Sequence, residues 1–191
     1  MDRIRVIGTS CSGKTTLSRA IARRLRLPVI ELDALYWGPN WTPVPDDVFL
    51  ARVADAAAPE RWVMDGGYSQ TRELTWSRAD TVVWLDYPMR TVLRRWARRT
   101  IRRLQTREEF WPGTGNRERW SHILRRDSLL WWILSTHRRR RRTTAAELAA
   151  RPHLHQVRLR SPADTERWLR GLQPASSAST TAGASASAQN P

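Results

Sequence analysis

The sequence predicts an α/β domain built on a parallel sheet with helices on both faces. Three observations predict it. Short apolar segments alternate with segments of helical spacing through most of the chain, the pattern of strand–helix–strand units. One segment, Thr81-Val82-Val83-Trp84-Leu85, is almost unbroken in apolar character, as suits a strand covered on both faces. The first strand and first helix are joined by Gly8-Thr9-Ser10-Cys11-Ser12-Gly13-Lys14-Thr15, a glycine-rich turn whose natural setting is between a strand and a helix start.

The elements follow in order. Residues 3–7 alternate Arg-Ile-Arg-Val-Ile and run into a glycine, a strand feeding a turn. From Thr15 to Leu27 the apolar positions Leu17, Ala20, Ile21 and Leu25 have helical spacing, and Pro28 ends the helix. Pro28 to Leu32 reads as a second strand. Residues 37–45 hold three Pro, one Gly and two Trp and form a loop. Asp46 or Asp47 is the expected cap of a helix through Val48, Leu50, Val53 and Ala57. Arg61 to Met64 is a third strand, closed by Asp65-Gly66-Gly67, and Thr81–Leu85 a fourth. Pro88 opens a long Arg-rich helix. Val157 and Leu159 mark a fifth strand, and Pro162 to Leu172 a last helix.

The chain has 191 residues, enough for one domain with a substantial core. Residues 1–173 are read as that domain, with a lid at about 104–126. Residues 174–191 are Ala, Ser and Thr with almost nothing else and no charge, a composition that builds no core and predicts a disordered tail. One Cys excludes a disulfide scaffold. The longest apolar run, Leu129–Leu134, is far short of the roughly 20 residues a bilayer requires, so no membrane partner is expected. No apolar stretch of a signal peptide opens the chain, and a reducing cytoplasm is the expected compartment.

Charge is unevenly placed. Residues 90–142 carry 17 arginines against Glu108, Glu109, Glu118 and Asp127, a local net charge of +13, and the rest of the chain sums to +2. Such a field attracts polyanions: nucleotides, nucleic acid or acidic lipid. Arg94, Arg95, Arg98, Arg99, Arg102 and Arg103 recur at helical spacing with Val92, Leu93, Trp96 and Ile101 between them, and a solvated helix face accounts for most of them. The run Arg138 to Arg142 reads as a nucleic-acid or acidic-surface patch, although no aromatic residue interleaves with it.

Gly8 to Thr15 matches G-x-x-x-x-G-K-[ST] and uses the chain's single lysine. The glycines let successive backbone N–H groups turn toward phosphate oxygens at a helix start, where the dipole favours anions. Lys14 can reach the β- and γ-phosphates of ATP, and the Thr15 hydroxyl can ligate Mg²⁺. Gly8, Ser10, Cys11, Ser12, Gly13, Lys14, Thr15 and Thr16 are therefore the candidate nucleotide-binding residues. Cys11 sits where a small side chain suffices, with no His or second Cys near it in sequence.

Ligands of doubly wound sheets bind beyond the carboxyl ends of the strands. Asp33, Asp65 and Asp86 follow strands two, three and four. Phosphoryl transfer needs a carboxylate that holds Mg²⁺ and a group that orients the acceptor hydroxyl. Asp33 and Asp65 suit those roles, with Thr15 and Asp65 as the metal-holding pair. Asp86, before Tyr87-Pro88, suits a helix cap equally well. Trp37, Trp41 and Tyr68 flank these acids and serve either as pocket wall or as core. His153 and His155 read as one face of a strand, and the four histidines show no metal-ligand spacing, so no metal beyond Mg²⁺ is indicated.

Gly8–Thr15, Glu31 to Trp37, Trp62 to Ser69 and Thr81–Pro88 together resemble the adenylate-kinase-like P-loop proteins, and most closely the bacterial group labelled DNA topology modulation proteins. Gly115-Asn116-Arg117-Glu118 and His137 to Arg141 resemble that group's lid and late basic motif. The resemblance spans residues 3–172. It implies a P-loop NTPase fold with strand order 2-3-1-4-5, ATP and Mg²⁺ as cofactors, and transfer of the γ-phosphate to a small-molecule or nucleotide acceptor. Asp33 would orient or deprotonate the acceptor, and Asp65 would act through metal-bound water. Lid arginines Arg117, Arg119 and Arg125 would compensate charge. The arginine that follows the corresponding Asp-Gly in adenylate kinases is absent at Gly67, and the Asp-x-x-Tyr-Trp pattern is more similar to kinases of small hydroxylated metabolites. The alternative expectation is an ATP-dependent switch that binds nucleic acid through its Arg-rich segment without transferring phosphate.

Overall fold

The computed structural model describes residues 1–106, 108–111, 113–117 and 128–173. The expected tail at 174–191 and, within the expected lid, residues 107, 112 and 118–126 lie outside the described residues.

Five parallel strands form one sheet in the order β2-β3-β1-β4-β5: β1 Arg3–Gly8, β2 Val29–Glu31, β3 Trp62–Asp65, β4 Thr81–Leu85 and β5 His155–Leu159. The register sets Ile4 against Val63 on one side and Thr81 on the other, with Thr81 against His155. The expected α/β class and strand order are both present. Because β1 is central and β4 is buried along its whole length, both faces need cover.

That cover comes from two cores. Ile4, Val6, Val63, Val83 and Leu85 meet Leu17 and Ile21 of α1 (Lys14–Leu25), Val92 of α5 (Met89–Thr106) and the partly buried Trp168 of α7 (Pro162–Gly171). On the other face, Ile7, Trp62, Met64, Val82 and Trp84 meet three helices. These are α2 (Leu32–Tyr36), α3 (Asp46–Ala57) through Phe49 and Val53, and α4 (Arg72–Trp76) through Trp76. The two-residue period of the strands sends alternate side chains to alternate cores.

One helix belongs to both. In α6 (Leu129–Ala149), Ile133 lies in the first core and Leu148 in the second. At about 30 Å long it crosses over the carboxyl ends of the strands. Ser128 caps its start by accepting from the Trp131 N–H, as Ser161 caps α7 by accepting from Asp164. Asp86, just past β4, anchors the crossing. Its carboxylate, fully buried, accepts from Arg141 Nε (2.5 Å) and Nη2 (3.0 Å) and from Arg158 Nε (2.9 Å) and Nη2 (2.6 Å). Those bonds hold the Asp86 carboxyl below the usual carboxylate range in spite of burial.

Several expectations need correction. Asp46 and Asp47 do not cap α3: Pro45 occupies the cap position, both acids fall in the first turn, and Asp46 accepts from Gln70 instead. The second strand stops at Glu31, because Leu32 turns into α2 to bury its side chain, which puts Asp33 in a first helical turn. Asp86 caps no helix. His153 lies in a turn and only His155 is in β5, so the pair does not share a strand face. Helices α4 and α6 were not expected. Among the described residues no helix is long and apolar enough to cross a membrane.

The asymmetry of the Asp86 cluster sets a stability test. The two arginines still reach water, so Asp86→Asn should lower the unfolding free energy by about 2 kcal/mol. Arg141→Met with Arg158→Met strands a buried carboxylate and should cost more, about 3 kcal/mol. With its folded pKa depressed, Asp86 contributes fully above the ordinary carboxylate value of about 4 and loses that contribution as pH falls through its lower folded value. Urea unfolding from pH 7 to pH 3 should show the gap between wild type and Asp86→Asn closing only below about pH 4.

Candidate active site

The site is built where β1 passes into α1. Gly8 has φ +153°, and a Cβ there would lie 2.9 Å from the Leu85 carbonyl and 2.8 Å from Ser12 Oγ. The loop therefore approaches β4 more closely than any side chain allows. Cys11 (φ +65°) and Gly13 (φ +94°) continue the turn, and Ser12 N–H donates to the Thr9 carbonyl at 3.1 Å. Gly13 stands at the cap position of α1 with no side-chain cap. The first N–H groups of the helix are left without a capping side chain, so the loop and helix start together can hold an anion through backbone donors. Ser10, Thr15 and Thr16 sit on this arc, Thr16 exposed and the other two half-buried.

Lys14 opens α1 and its ammonium lies 3.4 Å from the Thr9 carbonyl. Burial lowers its pKa, the charges of Asp33 and Asp65 oppose that, and Arg140 adds to it. Asp65 closes β3 almost wholly enclosed. Burial raises its pKa, against the Lys14 charge and a hydrogen bond from Thr15. Lys14, Thr15, Asp33 and Asp65 are thus brought together as the sequence suggested. Asp65 Oδ2 is buried without a hydrogen-bond partner. A hard oxygen in that state, next to a hydroxyl, fits a Mg²⁺ ion that takes its remaining ligands from water and phosphate. Among the described residues no group of three or more metal-ligating His, Cys, Asp or Glu side chains occurs.

Asp33 is exposed and accepts from the Tyr68 hydroxyl at 2.8 Å. Tyr68 is tilted against Tyr36 and edge-on to Phe49, and burial together with the Asp33 charge holds its hydroxyl protonated far above the usual range. Trp41 packs against Phe110 and Trp111. The buried Asn116 joins the same two segments, accepting from Trp41 N–H (2.7 Å) and donating to the Gly38 carbonyl (3.0 Å).

Of the lid arginines, Arg117 is not brought to Lys14. It pairs with Glu109 at 3.0 Å across a short antiparallel bridge. Arg119 and Arg125 lie outside the described residues. The helix arginines divide by face. Arg94, Arg98 and Arg102 are exposed, whereas Arg95, Arg99 and Arg103 form a half-buried row at i, i+4 spacing. Arg95 donates to the Ser12 carbonyl at 2.5 Å and lies over the Tyr87 ring, and Arg99 and Arg103 lie over Phe110. A single solvated face does not describe this helix. The run Arg138 to Arg142 also divides, with Arg141 tied to Asp86 and Arg140 half-buried against the Trp132 ring.

Sequence reasoning missed a group of residues under α6. Next to the loop lies a narrow open cleft, with room of about 40 Å³, lined among others by Thr9, Arg5, Gly67, Arg72, His137 and Arg140. His137 is buried, 3.3 Å from Thr9 Oγ1 through Nδ1, and burial and the Arg141 charge lower its pKa. The signal for Arg5 was present: a charge between Ile4 and Val6, in a strand covered on both faces, is out of pattern.

No protein-family model matches the chain, so the resemblance to the DNA topology modulation group has no support there, and no curated protein matches either. Among solved structures, three similar folds are a shikimate kinase from Aquifex aeolicus, a sugar kinase from a Janibacter species and a gluconokinase from Sinorhizobium meliloti. The first is 24% identical over 49% of this chain and 68% of that one, with TM-score 0.40. The second is 21% identical over 87% and 91%, with TM-score 0.48. The third is 19% identical over 89% and 94%, with TM-score 0.46.

The close approach at Gly8 yields a direct test. Gly8→Ala, with the Leu85 backbone carbonyl as well as the Ser12 hydroxyl in its way, should cost about 2 kcal/mol in equilibrium unfolding. Gly171→Ala, with nothing within 4 Å, serves as control and should be neutral or slightly stabilising.

Proposed function

We propose that the chain is an ATP-dependent phosphotransferase that moves the γ-phosphoryl group to a hydroxyl of a small-molecule or nucleotide acceptor. The observation that carries this reading is the complete glycine-rich loop on an uncapped helix start, with Lys14 in the field of two acids, Asp33 in the first turn of α2 and Asp65 at the end of β3. Backbone donors from Gly8 to Thr16 grip the phosphates, and Lys14 bridges the β- and γ-phosphate oxygens. Thr15 and Asp65 are the residues that would hold Mg²⁺, which when bound offsets charge between those oxygens.

Asp33 orients the acceptor hydroxyl and takes its proton. The acceptor oxygen forms the new bond to the γ-phosphorus as the bond to the bridging oxygen breaks, and ADP leaves with that electron pair. The Tyr68 hydroxyl, donating to Asp33, fixes the carboxylate while leaving its other oxygen for the acceptor. Arg95, anchored on Ser12, adds positive charge beside the loop. Arg117 joins the phosphates only by leaving Glu109, and Arg119 and Arg125 share that role on the strength of their place in the sequence.

A second reading keeps the nucleotide site but makes the chain a switch on nucleic acid. The exposed rows Arg94, Arg98, Arg102 and Arg138, Arg139, Arg142 favour it.

Transfer from Mg-ATP is the experiment, run against nucleoside monophosphates, nucleosides, sugar acids and polyols with Lys14→Ala as blank. We expect transfer to one acceptor class, absent in the blank. Asp33→Asn should lower kcat by on the order of 100-fold or more while ATP still binds. Unchanged transfer in Asp33→Asn would remove that acid from the mechanism. Nucleotide binding without transfer, together with DNA binding that falls steeply with salt and responds to ATP, would favour the switch.

A further inference from the structure

The geometry points to an anion-binding subsite in the cleft beneath α6, which holds a carboxylate or phosphate ester carried by the acceptor. The inference deepens the phosphotransferase reading and rests on it for the identity of the ligand as an acceptor.

Arg5 is the first ground. It stands in the central strand between Ile4 and Val6, 1% exposed, on the sheet face that also carries Trp62, Met64 and Trp84. Its Nη2 donates to the Gly66 carbonyl at 3.0 Å, and its Nε and Nη1 are buried without partners. Among the described residues no carboxylate lies within ion-pair distance of it. Burial pulls its pKa down to about 10, with the Asp65 charge opposing and the Arg72 charge adding, so it stays cationic at neutral pH. A buried guanidinium with open donors, in a wall of tryptophan, is costly unless an anion completes it.

The surroundings repeat that sign. Arg140 reaches over Gly67 so closely that a Cβ there would lie 2.8 Å from its Nη2. Arg72 faces the same space, paired with Glu147 at 2.6 Å. His137 adds a buried Nε2 without a partner. Arg141 and Asp86 neutralise each other at the rim, with Arg158 on the same carboxylate. Arg5, Arg72 and Arg140 against Glu147 leave two positive charges facing the cleft at neutral pH. Thr9 of the glycine-rich loop lines it too, and Arg140 acts electrostatically on Lys14. An anion seated here lies one small molecule away from the transferring phosphate, so it anchors the acceptor by its charged end.

The test uses the full chain loaded with Mg²⁺ and a non-hydrolysable ATP analogue, which fills the loop and removes it as a competing anion site. Calorimetric titration compares glucitol, gluconate and glucitol 6-phosphate. We expect one anionic probe to bind at least tenfold more tightly than glucitol, and its identity distinguishes carboxylate from phosphate. Arg140→Ala and Arg5→Met should each abolish that preference. Arg140 is half-buried at the wall, so its variant carries the test if Arg5→Met fails to fold. Equal binding of the three probes, binding of none, or a preference that survives in Arg140→Ala overturns the subsite. Failure to take up the ATP analogue sinks the phosphotransferase reading instead, and the same titrations on the Lys14→Ala chain then decide the subsite by the same criteria.

Discussion

The ion cluster around Asp86 is the constraint on which the site depends. Strand β4 delivers the carboxylate, β5 contributes Arg158 and α6 contributes Arg141. Without that tie α6 would have apolar anchors only near its ends, at Ile133 and Leu148. With it, the middle of the helix is fixed over the strand ends, and His137 and Arg140 are aimed at the glycine-rich loop and the cleft. The bridge also lies at the edge of the sheet's functional end, so it couples stability to the placement of chemistry. Its four charge-assisted hydrogen bonds satisfy a carboxylate that burial alone would neutralise.

A second theme is charge kept where water is scarce. Lys14 and Asp65 shift in opposite directions for one reason, since burial disfavours both charged forms, and their mutual attraction resists it. Among the described residues Arg5 has no such counter-charge at bonding distance. Replacing buried ions with apolar groups is often neutral or stabilising, so an arginine in a central strand is a cost to the fold that a ligand can offset. The loop shows the same economy in its geometry. Gly8 is required by the close approach of Leu85, and Gly13 by its left-handed backbone at φ +94°.

Much of this was legible in the sequence, and the rest was hidden for physical reasons. Strand β4 and the glycine-rich loop follow local rules, so Thr81–Leu85 and Gly8–Thr15 fall where expected. Lys14, Asp33 and Asp65 act on one another because the starts of α1 and α2 and the end of β3 lie along the carboxyl edge of three adjacent strands. Helix α6 was not legible. Its inward positions, Ile133, His137, Arg140, Thr144 and Leu148, keep helical spacing, but three of the five are polar and Trp131 and Trp132 point outward. A hydrophobic pattern cannot report a helix whose inward side is largely polar. Arg72 and Arg140 escaped for a related reason. In a chain with 33 basic residues, position in the fold and not residue type separates working arginines from solvated ones.

The division of the arginines shows how a strongly basic chain avoids being merely sticky. On α5 one row faces solvent, and the other is held by the Ser12 carbonyl, Tyr87 and Phe110. Fixed cations stabilise developing charge without reorganising, whereas the exposed row is screened by salt and contributes mainly a long-range field. The segment that carries Phe110 is itself fastened, since Asn116 and Trp41 bind 108–117 to the loop at 38–41. Moving that segment away from the site therefore breaks three hydrogen bonds and two aromatic contacts, or drags the loop after Asp33 along with it. Either way, the position of the Arg99 and Arg103 charges is coupled to the segment that follows the proposed base.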